Sequence, residues 1–345
     1  MARPSPLDTE ICRIFKTRYP IWNVGFGSGA RAELAAAVSN AGGLGVIGGT
    51  HVPVERIAEE VAKVRALTDK PFGVNFILQG IVNLPNLADL IRERILRWFE
   101  VGAPVMIFFW GDPAEFVNEA HRAGTKVVLQ AGSVDEARAA KDAGVDAIIA
   151  QGFEAGGHVK SHIALATFLP TVVDAVAPLP VLAAGGIADG RGIVAALDLG
   201  AQGVSLGTRF VASREAYVRD EYKERLVSAT AEDTYYTDLY DVGWPNAPHR
   251  TLRTKAIEEW EAAGRPPIGK RPAEGTVIGV EHRPWGDVEV KRYAPFMLTP
   301  EFDGQAEYAP LWAGESVELV RDVKPAGEIV RDLVREAEAV LAKRV

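Results

Sequence analysis

Eight short apolar runs, each followed by a stretch with helical spacing, set the beat of this chain over its first two-thirds. The runs are IWNV (21–24), LGVI (44–47), FGVNF (72–76), VMIFF (105–109), KVVLQ (126–130), AIIA (147–150), VLAA (181–184) and GVSL (203–206). They are continuous rather than alternating, the pattern of parallel strands covered on both faces. Between them, RAELAAAVSNAGG (31–43) ends in glycines and PVERIAEEVAKVRAL (53–67) opens on proline. SVDEARAAKDAGVD (133–146) starts with a Ser133-x-x-Glu136 capping box and stops at Gly144. Eight strands, each followed by a helix, is the count of an α/β protein of the (β/α)8 TIM-barrel type. A doubly wound open sheet shares the local pattern, because periodicity does not show closure. The eighth run ends near residue 206, within the usual length of a barrel, and this favours the barrel.

After about Ala229 the beat is lost. Residues 230–310 are rich in Gly, Pro and aromatics and read as an irregular insertion near the barrel mouth, with one or two short helices. The helix-like tail from 311 to 345 is expected to rejoin residues 1–229 as the barrel.

In a parallel barrel the chemistry gathers at the C-terminal ends of the strands. The residues that follow the last strands are rich in glycine. AAGGIADGR (183–191) puts Gly185 and Gly186 between a strand and a helix, and GTRF (207–210) does the same with Gly207 and Thr208. Backbone N–H groups at such turns hold phosphate in many barrels. Tight βα turns alone would also use glycine, but the pairing at strands seven and eight favours phosphate. After strand six comes QGFEAGGHVKSH (151–162). Gly156 and Gly157 would let the backbone pass beneath a flat ring and aim His158 into the mouth. An imidazole there suits proton removal from carbon or anion binding; a structural histidine bonded to a carbonyl is the plainer alternative. His162 is the weaker candidate, and Glu154 reads as a loop brace. His158 and His162 have i, i+4 spacing, but the glycines before them and the lack of a third ligand nearby make metal binding a poor reading. His51, His121, His249 and His282 are scattered and are expected on surfaces.

The net charge of −8 and pI near 5.4 leave no basic excess for nucleic acid or an acidic membrane surface, though a single phosphate remains compatible with backbone donors. No run approaches the roughly 20 apolar residues of a membrane span. Cys12 is the only cysteine, which fits a reducing cytoplasm and a small buried filler rather than a nucleophile.

Several segments together resemble the nitronate monooxygenases, formerly called 2-nitropropane dioxygenases. They are AELAAAVSNAGGLG (32–45), PFGVN (71–75), AQGFEAGGH (150–158), AAGGIADGR (183–191), GAQGVSLGTRF (200–210) and the tail LWAGESVELVRDVKPAGEIV. Flavin-dependent enoyl-ACP reductases and some NADH:quinone reductases share these motifs. The resemblance implies a TIM barrel with noncovalent FMN, its phosphate at Gly186, Gly207 and Thr208, next to Gly185 of the same turn. It implies Asn23, Gly25, Asn75, Gln130, Gln151 and Gly156 along the flavin, and His158 as the catalytic base. The implied substrates are a nitronate or nitroalkane and O2, giving a carbonyl compound and nitrite; a homodimer stays open. Two departures stand out. Phe26, in NVGFGSG, replaces the methionine of an APM segment after the first strand. Gln130 and Gln151 stand where some quinone-reducing relatives carry Lys and Asp, which disfavours a pyridine nucleotide.

Overall fold

The structure, a computed structural model, describes residues 6–79 and 87–344. Its barrel strands are β1 (Ile21–Asn23), β2 (Gly45–Gly48), β3 (Phe72–Ile77), β4 (Val105–Phe109), β5 (Lys126–Ala131) and β6 (Ala147–Gln151). A two-residue strand outside the barrel, β7 (Gly157–His158), precedes the last two barrel strands, β8 (Val181–Ala184) and β9 (Gly203–Leu206). The eight barrel strands are parallel, in the order β1-β9-β8-β6-β5-β4-β3-β2. A parallel bridge between Trp22 and Leu44 joins the two ends, so the sheet closes.

The seam between β1 and β2 needs help from a side chain. Asn23 donates from Nδ2 to the Val46 carbonyl at 2.8 Å and accepts at Oδ1 from the Val46 N–H at 2.9 Å. One amide thus supplies the two bonds that a ladder would have made. Asn23 is fully buried in this role.

Strand side chains alternate between the barrel interior and the outer helices. Trp22, Val46, Val105, Ile107, Val128, Ile149 and Leu182 form the interior cluster. Helix Glu10–Phe15 covers the N-terminal ends of the strands, with Phe15 edge-on to Trp22 at 4.8 Å and Thr9 bonded to the Gln202 carbonyl. Cys12 lies buried in this helix, its thiol directed to the Leu7 carbonyl. The opposite end is left for the site.

The eighth outer helix is displaced in sequence. A four-residue helix, Thr208–Val211, follows β9, and the long helix Ala326–Ala342 then packs against helices Gly190–Asp198 and Ala32–Asn40. The contact is close. A Cβ on Gly190 would stand 2.3 Å from the Ala337 nitrogen, and the Gly190 N–H is held by Glu336.

Residues 230–310 are more regular than their composition suggested. Strands β10 (Thr234–Thr237) and β11 (His249–Leu252) form a sheet with β7, and β12 (Val277–Arg283), β13 (Gly286–Lys291) and β14 (Phe302–Gly304) form another. Aromatics of this region join a second core around Tyr222, Tyr240, Leu252, Ile257 and Tyr293. No helix among the described residues is long and apolar enough to cross a membrane.

Candidate active site

A cavity of about 460 Å³ opens at the C-terminal ends of the barrel strands. Its floor is made by inward positions near the ends of several strands: Asn75 on β3, Gln130 on β5, Gln151 on β6 and Ser205 on β9. Gln130 is only 7 % exposed, yet its amide has no hydrogen-bond partner among the described residues. The Ser205 hydroxyl is likewise unpartnered and lines the cavity. Sequence reasoning missed Ser205. The available signal was alternation, since Val204 and Leu206 both belong to the outer core and leave the serine between them facing in. Asn75 donates to the Ile107 carbonyl at 3.3 Å. Gly25 is forced by its neighbours: a Cβ there would lie 2.6 Å from both the Asn75 Cβ and the Ile47 carbonyl oxygen.

The two glycine turns flank this floor. Gly185 and Gly186 have φ of 100° and 69°, a conformation that other residues resist. Gly207 presents bare backbone, and a Cβ on it would meet only Val24 Cγ2 at 3.9 Å. Gly185, Gly207 and Thr208 line the cavity; Gly186 sits behind it, against Glu154. The Thr208 hydroxyl accepts from the Gly314 N–H at 3.0 Å, which brings the C-terminal segment and Ser316 to the cavity wall. Asn23 is absent from the wall for a geometric reason. Trp22 points inward, so its neighbour points outward, and both ends of the Asn23 amide are spent on the seam.

The histidine loop is a built element. His158 pairs with His249, and Gly157 with Arg250, in an antiparallel ladder. The Gln151 amide donates to the His158 carbonyl at 2.9 Å, so this glutamine braces the loop. Gly156 lines the cavity and is also packed against backbone on its other side: a Cβ would stand 2.3 Å from the Gly314 nitrogen. Both Glu154 oxygens accept from the Leu165 N–H, at 3.0 and 2.9 Å, at the start of the next helix.

The His158 ring lies in an aromatic cage. Trp244 stacks on it at 4.0 Å and 25°. His249 and Trp312 stand 5.4 Å away, and Trp110 6.1 Å. Trp110 holds a left-handed backbone, φ 58°, which a bulky residue adopts only at a cost. The His158 Nε2 is sealed from solvent and has no partner among the described residues, while the residue itself forms part of the cavity wall. Burial, reinforced by His249, holds the imidazole well below its ordinary pKa, so it is neutral at physiological pH.

His249 corrects a sequence expectation. It was expected on a surface but is fully buried behind His158. Its Nε2 accepts from the Tyr240 N–H at 3.3 Å, which leaves Nδ1 as the donor to the Ala247 carbonyl at 2.9 Å. Burial lowers its pKa to about 4. His51 is exposed, as expected, and also lines the cavity. His121 and His282 are at the surface, paired with Asp146 and Asp287. His162 is exposed, its ring 6.3 Å from Tyr236.

The insertion supplies the roof. Val242, Val290, Phe296 and Met297 make its apolar part, joined by Trp312 from the C-terminal segment and Phe26 from the first loop.

Comparison with known proteins bears on the family and the fold. The nitronate monooxygenase family model matches residues 8–336. A Mycobacterium tuberculosis protein named (3aS,4S,5R,7aS)-5-hydroxy-7a-methyl-1-oxo-octahydro-1H-indene-4-carboxyl-CoA dehydrogenase is 32 % identical, with 96 % of each chain covered. Among solved structures, FabK from Thermotoga maritima superposes with a TM-score of 0.77 at 34 % identity, covering 97 % of each chain. A nitroalkane oxidase from Streptomyces ansochromogenes gives 0.76 at 27 % identity, covering 95 % of this chain and 98 % of the other. The chain belongs to the nitronate monooxygenase family and is an oxidoreductase.

Proposed function

We propose that this family member binds FMN and uses O2 to oxidise alkyl nitronates to a carbonyl compound and nitrite. The observation that carries the reading is His158: a neutral imidazole, pinned by Trp244 in the wall of a cavity whose floor offers the unpartnered Gln130 and Ser205.

The residues present fit a flavin. Gln130, Ser205 and Asn75 offer hydrogen-bonding groups to the edge of a flat ring, and Gly25 keeps the floor low. The bare backbone at Gly185 and Gly207 and the Thr208 hydroxyl suit its phosphate, with Gly186 setting the turn. A bound FMN would supply the electron acceptor for the nitronate. His158, being neutral, takes the α-proton of a nitroalkane or donates a hydrogen bond to a nitronate. An anion in the cavity would raise the imidazole pKa and so favour the proton's arrival. The apolar roof of Val290, Phe296 and Met297 limits water around the reacting carbon.

A second reading, an FMN-dependent NAD(P)H reductase of a quinone or an enoyl thioester, is favoured by one observation, the similarity to a dehydrogenase named for a carboxyl-CoA substrate. Anaerobic mixing decides between the two. The nitronate reading expects flavin bleaching by ethyl nitronate and slow or no bleaching by NADH or NADPH, with nitrite released once O2 is admitted. Rapid bleaching by a pyridine nucleotide, without nitrite from any nitronate, would move the enzyme to the reductase class.

A further inference from the structure

A second cavity, of about 190 Å³, adjoins the first. Gly27, Ser28, Gly48, His51, Glu281 and Arg283 belong to both walls, so the two spaces are neighbouring rooms of one cleft. Beyond this shared wall the second room is lined by Ala30, Ala32, Ile47 and Val52, and its rim carries Trp285. Trp285 sits in the two-residue turn between β12 and β13, closed by the Arg283–Gly286 pair, and is 43 % exposed.

The cationic side chains around this room already have partners. Arg31 pairs with Glu301 at 2.8 Å and lies 3.6 Å over the Tyr217 ring. Arg283 donates from Nε to Glu281 at 2.9 Å, and Lys63 reaches Glu60 at 2.7 Å. No lining cation is therefore free to hold a phosphate or carboxylate. Glu33 is exposed on the same wall and has no ion-pair partner among the described residues, so it disfavours a negative terminus. What remains is a largely apolar channel whose rim cations are all paired, with one unpaired carboxylate and one exposed aromatic.

We propose that the second cavity is the tail subsite of the same active centre, and that the substrate it selects carries an unbranched, uncharged alkyl chain. The chain lies along Ala32 and Val52 towards Trp285 while the reacting carbon faces His158. This rests on the nitronate reading for the head group only; the tail chemistry follows from the second cavity itself.

The test is a series of primary nitronates from ethyl to octyl, with kcat/KM measured at fixed O2 on the protein as purified. Burial of each added methylene is expected to raise kcat/KM about fourfold until the room is filled. Val52→Trp is expected to flatten the series and leave ethyl nitronate unchanged, because Val52 lines only the second cavity. Trp285→Ala, at an exposed position that tolerates change, should lower only the longest members. A nitronate ending in a carboxylate should fall well below its alkyl counterpart of equal length. A flat wild-type series, an unchanged slope in Val52→Trp, or preference for the carboxylate would overturn the proposal. In parallel, dissociation constants of unreactive 1-alkanols are read by calorimetry. Should no nitronate of any length turn over, the nitronate reading fails. The alkanol series still decides the cavity: tightening with length that Val52→Trp abolishes supports it, and no dependence on length refutes it.

Discussion

The imidazole of His158 lies face to face with the indole of Trp244, ring centroids 4.0 Å apart and planes 25° from parallel. The two residues come from distant parts of the chain. His158 follows the sixth barrel strand, and Trp244 belongs to the insertion between β10 and β11. The ladder between His158 and His249 fixes the backbone on one side, and the stack fixes the ring on the other. The insertion is thus a part of the site, holding an imidazole that the barrel alone would leave free to rotate.

Replacing Trp244 should therefore change the chemistry before it changes cofactor binding. An aromatic pair contributes about 0.5–1.5 kcal/mol beyond its area. Trp244→Phe should retain most of the turnover, whereas Trp244→Ala should lower kcat by roughly tenfold, with flavin content unaltered. Visible absorbance of the purified variants checks the cofactor, and nitrite release checks the rate. Flavin loss in Trp244→Ala would assign the residue to cofactor binding instead.

Gly207→Leu should remove flavin without unfolding the barrel. Gly207 has φ of −94°, so a side chain brings no backbone strain, and its Cβ would enter open space beside Val24. The added bulk would occupy the proposed phosphate position. The purified variant should be colourless, with a circular dichroism spectrum like that of the parent. Full flavin occupancy would show that the phosphate lies elsewhere.

Stability should fall as the pH drops below neutrality. The folded pKa values of His158 and His249 lie below the usual histidine value, near 4 for His249. Between those values and about 6.5 the unfolded chain binds more protons than the folded one, so stability is full above 6.5 and lost as pH falls. At pH 5 His249 accounts for about 2 kcal/mol, and His158 adds a loss of the same sign. Urea unfolding at pH 7.5 and 5.0 reads this difference, and in His249→Leu the pH-dependent loss should shrink by about that amount. An identical loss in the variant would mean that His249 titrates normally.

The barrel was readable because each strand is a continuous apolar run and each helix has its own stop signal. The glycine turns after β8 and β9 were readable for the same local reason. Sequence-local reading fails where a role depends on a distant partner. His249 looks like any loop histidine until β11 pairs with β7 and buries it. Gly156 lines the cavity as its motif suggests, but its second constraint, the Ala313–Gly314 backbone packed against it, is invisible in the local sequence. Asn23 and Ser205 are different, because both were decidable by strand parity: counting from the neighbouring core residues puts the serine inside and the asparagine outside.

Asn23 should accordingly behave as a structural residue. Asn23→Leu would leave the buried Val46 N–H and carbonyl without partners at the barrel seam, at a cost of about 1–3 kcal/mol for each group. Urea unfolding should show a loss of about 2–6 kcal/mol. Flavin content at low temperature should stay close to that of the parent. Unchanged stability with lost flavin would restore Asn23 to the cofactor site.

His158 and His162 separate chemistry from packing. His158 lines the cavity with a neutral ring, whereas His162 is exposed beside Tyr236 and outside the cavity wall. A neutral nitroalkane needs its α-proton removed; a preformed nitronate does not. A general base typically contributes about 10²–10⁴-fold. His158→Asn should therefore cut nitroalkane turnover by that order and nitronate turnover far less, with flavin still bound. His162→Asn should leave both rates within about twofold, since it removes no group that can reach a substrate in the cavity. Nitrite release from each substrate, measured on both variants at one pH, checks the assignment. Equal losses on the two substrates in His158→Asn would make the residue a binding group rather than a base. A larger loss at His162 would move the chemistry out of the Trp244 cage altogether.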